Sequence, residues 1–340
     1  MSTFNFVLAG TGNMAKTYIN AVRNIPDAAI TGIISRSKEN AKKKAAELHI
    51  ADYADDLKKI SAEYQAVLVA TPNGLHHVTA VQAAGLGKHI LTEKPIDITI
   101  KNIDKMLNAA AANKVKIGVA YQYRMKPDSI SLKRIFSEKK CGKIYGINLL
   151  LNFYRGQEYY ESALWRGTKR IDGGGPFLQQ GSHNIDLLYW YFGMPEKVFA
   201  KTGTFGHRNI EVEDHGSAIL EFPDKSIAAL TASTLAKPGF HCRMEIFTEK
   251  GTIITENDCI TFWGIDGLPN PAAPAHTGLH SAAASVAVND TSGHEAIIKD
   301  FIHAIREARE PAVNGPDAKK SIEVILAIYR SAQKGKEVSL

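Results

Sequence analysis

A glycine-rich turn follows the first apolar run of the chain. The segment FVLA leads into Gly10-Thr11-Gly12-Asn13-Met14-Ala15, which has GxGxxA spacing between a predicted strand and a predicted helix. Gly10 permits a tight turn, Gly12 lets a pyrophosphate approach the backbone, and Ala15 allows close packing of helix on strand. The free N–H groups at the helix start can then meet phosphates. We therefore expect Gly10, Gly12, Asn13 and Met14 to bind a dinucleotide.

The end of the second predicted strand bears on which dinucleotide binds. A site that prefers NAD normally places an acid there, whereas this chain has Ser35-Arg36-Ser37-Lys38. A hydroxyl and a guanidinium can hold a 2′-phosphate, and Arg36 can also stack on the adenine. We expect NADP to be preferred over NAD, with Ser35 and Arg36 as contacts. The alternative is that Arg36 only covers the adenine and either dinucleotide binds.

The elements that must position this turn form an alternating pattern. From Phe4 to about Tyr123, the short apolar runs FVLAG, ITGIIS, AVLVATP, HILTE and IGVAY are separated by helix-like segments. This alternation predicts a doubly wound parallel sheet covered on both faces. With 340 residues, 44% of them apolar, the chain is long enough for two domains. We place the dinucleotide-binding Rossmann domain, of the α/β class, at residues 1–122.

The pattern changes after Pro127, where a helix is followed by alternating runs joined by short turns. These runs predict an α+β domain at residues 123–340 with a large, mostly antiparallel open sheet. We expect this domain to bind the substrate, and the closing helix at 316–334 to pack back on the first domain. An apolar sheet face that lacks its own helices would be covered by a twin subunit, which predicts a homodimer or homotetramer.

Composition argues against several other classes of protein. The net charge is +6, but the basic residues are dispersed, so we expect no nucleic-acid partner. We also expect no membrane segment and no leader at the N-terminus, and therefore a cytoplasmic protein. The three cysteines lie far apart, which favours a reducing compartment. His276 and His280 are four residues apart, yet no cysteine or carboxylate completes a set around them, so no metal is expected.

Four motifs occur in an order that resembles the glucose-fructose oxidoreductase/inositol dehydrogenase/MocA (Gfo/Idh/MocA) family. They are GTGNMA, ATPNGLHH, AGLGKHILTEKP, and DGGGPFLQQGSHNIDLL at Asp172 to Leu188. The resemblance runs across nearly the whole chain. It implies an NAD(P)-dependent oxidoreductase, while the substrate varies widely within the family.

The EKP motif, Glu93-Lys94-Pro95, is where the resemblance implies catalysis. Lys94 would lie beside the nicotinamide and the substrate carbon, where its ammonium can polarise a carbonyl oxygen or exchange a proton. Glu93 would contact the cofactor. A cis bond at Lys94-Pro95 is expected, because X-Pro is where a cis bond costs least.

A second catalytic motif is implied by three glycines at 173–175 and by His183. The family ordinarily carries an acid four residues before the histidine, and here Gln179 takes its place. Gln179 and His183 are one helical turn apart and should face the same side. Glutamine can hydrogen-bond a hydroxyl but cannot accept a proton, so the acid/base role would pass to Lys94 and His183. Asp186 is interpreted as structural.

Further cofactor contacts are implied by position. Thr71, Pro72, Asn73 and His76 follow the predicted strand AVLV, although His76 could instead belong to a helix start without a ligand. Gln122 lies after the last strand of the sheet, at the carboxyl edge where ligands collect. Trp165 and Arg166 precede the glycines, and in the family this stretch approaches the nicotinamide. An aromatic plane with a fixed cation suits a hydroxyl-rich or anionic ligand.

These expectations combine into a dehydrogenase or reductase acting on CH–OH groups. The expected substrate is a polyhydroxylated small molecule, namely a sugar, sugar derivative or cyclitol. One alternative is a non-sugar substrate of the diol or tetrapyrrole type. Another is a non-catalytic regulatory protein that senses a dinucleotide, but such a protein should lack the EKP lysine and the motif histidine, and both are present here.

Overall fold

A computed structural model describes residues 2–272 and 290–340. The helices are α1 (Asn13–Arg23), α2 (Lys38–Leu48), α3 (His76–Gly85), α4 (Ile100–Ala112), α5 (Pro127–Ser137), α6 (Gln157–Glu161), α7 (Ser182–Phe192), α8 (Ser292–Arg306) and α9 (Gly315–Lys334). The strands are β1 (Phe4–Ala9), β2 (Ala28–Ile34), β3 (Asp52–Ala54), β4 (Ala66–Val69), β5 (His89–Thr92), β6 (Ile117–Val119), β7 (Ile144–Asn152), β8 (Lys197–Gly203), β9 (His215–Glu221), β10 (Ile227–Ser233), β11 (Arg243–Thr248), β12 (Gly251–Glu256), β13 (Cys259–Ile265) and β14 (Val338–Ser339).

The first of two compact units contains residues 2–122 and 290–319. Its six-stranded sheet has the order β3-β2-β1-β4-β5-β6, and the paired strands are all parallel. The central strands are apolar along their length because helices cover both faces; Leu8, Leu68 and Ile90 are fully buried. The predicted doubly wound sheet is confirmed.

Residues 290–319 belong to this first unit, although the sequence analysis assigned them to the second domain. The reason is the apolar face of α8, on which Ile298, Phe301 and Ile302 are buried. The Phe301 ring lies 6.5 Å from the Phe6 ring of β1. Helix α8 therefore completes the core of the parallel sheet. The sequence did not predict this assignment, because α8 lies far along the chain from β1 and the apolar periodicity of a helix does not identify the sheet that the helix covers.

The second unit contains residues 123–272 and 320–340. Its eight-stranded sheet has the order β13-β12-β11-β7-β10-β9-β8-β14, and it is antiparallel except between β7 and β10. Burial alternates along β8, β9 and β10, as a sheet with one covered face requires. The uncovered face carries exposed apolar side chains, among them Phe199, Ile219 and Ile227. The predicted large open sheet is confirmed.

Candidate active site

The glycine turn joins β1 to α1 in the first unit. Gly10 has φ +120°, and its N–H donates to the Ile34 carbonyl at 3.0 Å. A Cβ at Gly10 would overlap the Ala70 carbonyl oxygen, so only glycine fits. Ala15 is buried where α1 packs on the sheet. The turn thus has the form that its spacing predicts.

The start of α1 has the properties of a phosphate site. Gly12 caps the helix without a side-chain hydrogen bond, and the first turn carries no acidic residue. A Cβ at Gly12 would meet no atom within 4 Å, so the backbone there faces open space. Asn13 is exposed and Met14 is half-buried beside it. Unpaired helix N–H groups with this access fit the pyrophosphate of a dinucleotide.

Two polar atoms at the carboxyl edge of the sheet also fit a ligand. Thr71 Oγ1 and Gln122 Oε1 are buried, and neither has a hydrogen-bond partner within the described part of the chain. Thr71 follows β4, and Gln122 follows β6. Buried polar atoms normally have partners, so these two are consistent with hydrogen bonds to a bound dinucleotide.

Arg36 lies just after β2 and is exposed. No carboxylate among residues 2–272 and 290–340 forms an ion pair with its guanidinium. Ser35 is half-buried, and its N–H donates to the Ala54 carbonyl at 3.2 Å. Ser37 is committed to capping α2, because its hydroxyl accepts the Asn40 N–H at 3.3 Å. Arg36 and Ser35 therefore keep side-chain groups with which to bind a phosphate.

The turn after β4 holds Thr71, Pro72 and Asn73 and leads into α3. His76 at the start of α3 is fully buried rather than open to a ligand. Its Nδ1 lies 2.9 Å from the Pro95 carbonyl oxygen, and its Nε2 lies 2.8 Å from the Thr71 carbonyl oxygen. Both ring nitrogens therefore lie against backbone carbonyls, which fits a positioning role, and a contact between His76 and the cofactor stays a prediction. The ring ties the turn after β4 to the turn after β5.

Glu93 and Lys94 follow β5, and the Lys94-Pro95 bond is cis, as predicted. Lys94 is half-buried, and its backbone N–H donates to Glu93 Oε2 at 3.1 Å. Glu93 Oε1 accepts the Tyr18 hydroxyl at 2.8 Å and lies 3.6 Å from His294 Nε2. The Glu93 carboxylate therefore anchors the turn that carries Lys94, and a contact between Glu93 and the cofactor stays a prediction.

These buried partners determine the ionisation of Glu93. Burial opposes the charged form, but the nearby charges of His294 and Lys94 and the Tyr18 hydroxyl outweigh it and lower the pKa of Glu93. Burial and the Glu93 charge raise the pKa of Tyr18 well above its ordinary value. Sequence reasoning missed Tyr18 and His294. Tyr18 is one helical turn beyond Ala15 and could have been found, whereas nothing local marks His294.

In the second unit, the three glycines lead into a π-helical turn, Pro176–Gln180, and then into α7. A Cβ at Gly175 would overlap the Glu213 carbonyl oxygen, so the close approach of that segment requires glycine. The Glu213 carboxylate accepts the Gly175 N–H at 2.9 Å and the Tyr329 hydroxyl at 2.8 Å. Burial raises the pKa of Glu213 despite these hydrogen bonds. Glu213, which sequence reasoning also missed, fixes the start of the motif.

His183 lies in the first turn of α7 and is 7% exposed. Its ring stacks on Tyr123, with centroids 4.3 Å apart and an interplanar angle of 24°. Gln179 is half-buried, and its amide donates to the Asp172 carboxylate, which also accepts the Gly167 N–H at 2.7 Å. A carboxylate thus accompanies Gln179, supplied by the residue just before the glycines.

Asp186 has the structural role expected for it. Its carboxylate accepts two hydrogen bonds from the Arg124 guanidinium, at 2.7 and 2.6 Å, and one from the Ser321 hydroxyl at 2.6 Å. All three side chains are buried. A bidentate pair of this kind fixes the segment at Arg124 against α7 and α9.

Trp165 and Arg166 are half-buried in the segment that precedes the glycines. The Arg166 guanidinium lies 4.1 Å from the centre of the Tyr159 ring and 5.0 Å from that of Trp165. The structure thus brings Trp165, Arg166, Gln179 and His183 into the second unit, whereas Lys94 and the other predicted cofactor contacts belong to the first.

No group of three or more His, Cys, Asp or Glu side chains among the described residues is placed to hold a metal ion. His276 and His280 lie outside those residues. None of the helices that the structure describes has both the length and the apolar character needed to cross a membrane.

Two family models match the chain. The model described as "Oxidoreductase family, NAD-binding Rossmann fold" matches residues 4–121, and the "GFO/IDH/MocA C-terminal domain" model matches residues 130–254. The first match lies in the first compact unit and the second match in the second. The resemblance carried by the four motifs is confirmed.

Individual relatives agree with this result. Inositol 2-dehydrogenase of Rhizobium meliloti (strain 1021) is 24% identical over 352 residues, covering 99% of each protein. The scyllo-inositol 2-dehydrogenase (NADP(+)) IolU of Bacillus subtilis (strain 168) is 28% identical over 261 residues, covering 74% of this chain and 75% of IolU.

A solved structure is also similar over the whole chain. It is the WlbA dehydrogenase from Bordetella pertussis in complex with NADH and UDP-GlcNAcA, with 29% sequence identity, a TM-score of 0.87 and 99% coverage of both chains. The chain therefore belongs to the Gfo/Idh/MocA family and is an oxidoreductase with an NAD(P)-binding Rossmann fold.

Proposed function

We propose that this oxidoreductase transfers a hydride between nicotinamide C4 of NAD(P) and a carbon that bears a hydroxyl group in a sugar, sugar derivative or cyclitol. The observation that carries the proposal is the position of Lys94. It directly follows β5, its backbone is held by Glu93, and it shares the carboxyl edge of the parallel sheet with the glycine turn after β1. A side chain at that edge can reach both a dinucleotide and its substrate.

The relatives support a polyhydroxylated substrate. Two are named for inositols, and the WlbA structure contains a nucleotide-linked sugar. We propose that the first unit binds the dinucleotide, through Gly10, Gly12, Asn13, Met14, Thr71, Pro72, Asn73 and Gln122. The second unit supplies the substrate side, with Trp165 and Arg166 at the nicotinamide end. The closing helix at 316–334 is proposed to pack back on the dinucleotide-binding domain.

Lys94 and His183 are proposed to handle the proton. The cofactor supplies the hydride chemistry itself. During reduction, the ammonium of Lys94 or the imidazolium of His183 donates a proton to the carbonyl oxygen; during oxidation, the neutral form of the same group accepts the hydroxyl proton. Gln179, held by Asp172, is proposed to hydrogen-bond a substrate hydroxyl without taking its proton.

We further propose that NADP is preferred over NAD. The support is the exposed Arg36 guanidinium and the Ser35 hydroxyl after β2, where an NAD-preferring site would place an acid. The carboxylate that an NAD-preferring site places there would repel the 2′-phosphate of NADP. The exposed face of the eight-stranded sheet supports a homodimer or homotetramer as the assembled form.

Turnover with and without the two proton carriers tests the function. The enzyme is first titrated with NADPH and NADH by fluorescence and then screened against sugars and polyols. Lys94→Met and His183→Asn should each reduce kcat by about 10²- to 10⁴-fold while the cofactor Kd changes little. Full turnover in both variants would remove the mechanism. No turnover of any sugar or polyol by the wild type would remove the substrate class.

A further inference from the structure

Two arginines in the second unit lie against one aromatic ring. The Arg166 guanidinium is 4.1 Å from the centre of the Tyr159 ring, and the Arg155 guanidinium is 5.5 Å from it. Both distances are within the range of a cation–π contact. All three side chains are half-buried, which strengthens their electrostatic interactions relative to open solvent. We call Arg155, Tyr159 and Arg166 the arginine cluster.

The positive charge of the arginine cluster is not balanced by an ion pair. Over the residues that the structure describes, neither guanidinium pairs with a carboxylate. The Nε atoms of Arg155 and Arg166 are both buried without a hydrogen-bond partner, although Arg155 Nη1 donates to the Tyr154 carbonyl at 2.7 Å. A guanidinium carries five donors in a planar fork suited to oxyanions, so buried and unused donors require an explanation.

The nearby acid Asp172 does not neutralise the arginine cluster. Asp172 is 1% exposed, and its carboxylate accepts hydrogen bonds from the Gly167 N–H and the Gln179 amide. The Asp172 carboxylate is thus hydrogen-bonded to the segment before the glycines and to Gln179. The two guanidiniums therefore bring two positive charges to the Tyr159 ring without an ion pair to either of them among the described residues.

The arginine cluster adjoins the motif that carries His183. The Gln180 amide donates to the Tyr159 hydroxyl at 3.4 Å, and Gln180 is followed within one helical turn by His183. Gln180 Oε1 is also buried without a hydrogen-bond partner. A ligand held by the arginines and extending towards His183 could therefore donate a hydrogen bond to Gln180 Oε1.

We propose that the arginine cluster binds an oxyanion of the substrate, so that the enzyme acts on an acidic sugar derivative rather than on a neutral polyol. This inference rests on the proposed function, because it specifies the substrate of the same site. The oxyanion is either a carboxylate on the sugar or a phosphate linked to it. Both match the guanidinium fork and would use the donors that lack partners. The Tyr159 ring holds the two forks in place before the ligand arrives.

Binding of matched charged and neutral probes tests the inference. Isothermal titration calorimetry is carried out on enzyme saturated with whichever of NADH and NADPH binds more tightly, so that the dinucleotide site is blocked. D-glucuronate is compared with D-glucose for a carboxylate, and UDP-N-acetylglucosamine with N-acetylglucosamine for a phosphate. In at least one pair, the charged probe should bind about tenfold or more tightly than its neutral counterpart.

Substitutions assign that preference to the arginine cluster. Arg155→Gln should weaken binding of the charged probe about 10- to 100-fold and leave the neutral probe unchanged, and Arg166→Gln should weaken binding of the charged probe by a similar factor. Arg330→Gln, which removes an exposed arginine on α9, is the matched control and should change neither. Arg155→Lys, which keeps the charge but not the fork, should recover part of the loss. Circular dichroism and thermal denaturation check that each variant is folded.

Three results would overturn the inference. The first is equal binding of charged and neutral probes in both pairs. The second is loss of the preference in Arg330→Gln to the same extent as in the arginine cluster variants. The third is an effect of Arg155→Gln and Arg166→Gln on cofactor affinity alone, which would assign these guanidiniums to the dinucleotide. Absence of turnover with every probe would count against the proposed function while leaving this comparison of binding intact.

Discussion

The two glycines of the turn after β1 allow folding and cofactor binding to be separated. Gly10→Ala places a Cβ against the Ala70 carbonyl, 2.7 Å from its carbon, at φ +120°. The backbone conformation alone costs about 1–3 kcal/mol for a residue other than glycine. The overlap with backbone cannot be relieved by rotating a side chain, so we expect a total loss of roughly 3–5 kcal/mol in the free energy of unfolding.

Gly12→Ala should behave differently, although it changes the same motif in the same way. Its φ is −74°, and the new Cβ meets nothing within 4 Å. Alanine is a poorer helix cap than glycine, but it also restricts the unfolded chain, so stability should change by no more than about 1 kcal/mol. The methyl group would instead stand in the open space over the helix start, where a pyrophosphate must approach.

Thermal denaturation and fluorescence titration with NADPH and NADH measure the two effects. Gly10→Ala should lower Tm by roughly 6–20 °C at about 2–4 °C per kcal/mol. Gly12→Ala should keep Tm within a few degrees, on the order of 4 °C at most, and raise the cofactor Kd at least about tenfold. Wild-type affinity in Gly12→Ala would refute the assignment of the phosphate site. Wild-type Tm in Gly10→Ala would refute the steric argument.

Three further predictions concern the cofactor, pH and assembly. Arg36→Glu should weaken NADPH about tenfold or more relative to NADH in fluorescence titrations, and an unchanged ratio would remove Arg36 from the 2′-phosphate site. Because the folded-state pKa of Glu93 is lowered, its contribution to stability is complete above its ordinary pKa of 4.5 and is lost as pH falls through the lowered value. Urea denaturation should therefore show the wild type losing stability relative to Glu93→Gln below about pH 4.5, and parallel profiles would contradict this. Ile219→Lys charges the exposed sheet face and should turn a dimer or tetramer into a monomer by light scattering, whereas a monomeric wild type would remove the predicted interface.

Much of the fold could be predicted from the sequence because its signals are local. Alternation of apolar strands and helices defines the parallel sheet, and residues of types that favour helix caps, Ser37 and Thr99, stand directly before α2 and α4. Ser37 and Thr99 cap these helices, which is why their types marked the boundaries. The assignment of residues 290–319 could not be predicted in this way, because it depends on which core the apolar face of α8 joins.

The candidate site likewise contains residues that local motifs mark and residues that only long-range contacts bring in. Gly10, Lys94 and His183 lie within short motifs and could be proposed as site residues directly from the sequence. Their supporting partners could not, because Tyr18 and His294 reach Glu93 from other helices, and Glu213 reaches Gly175 from a distant segment. Such contacts exist only after the chain has folded. His76 shows the converse, since its motif was recognised while its burial between two carbonyls, and hence its positioning role, was visible only in the structure.

We propose that hydride passes directly between the nicotinamide and a carbon of a polyhydroxylated substrate. The test uses NADPH that carries deuterium at both C4 positions and the keto form of whichever sugar or cyclitol the screen identifies, followed by mass spectrometry and NMR of the product. We predict one deuterium on the carbon that gains the hydroxyl group, and loss of that product when Lys94 is replaced by methionine. Product without deuterium at that carbon, or undiminished formation of the labelled product by the Lys94→Met variant, would rule out this mechanism.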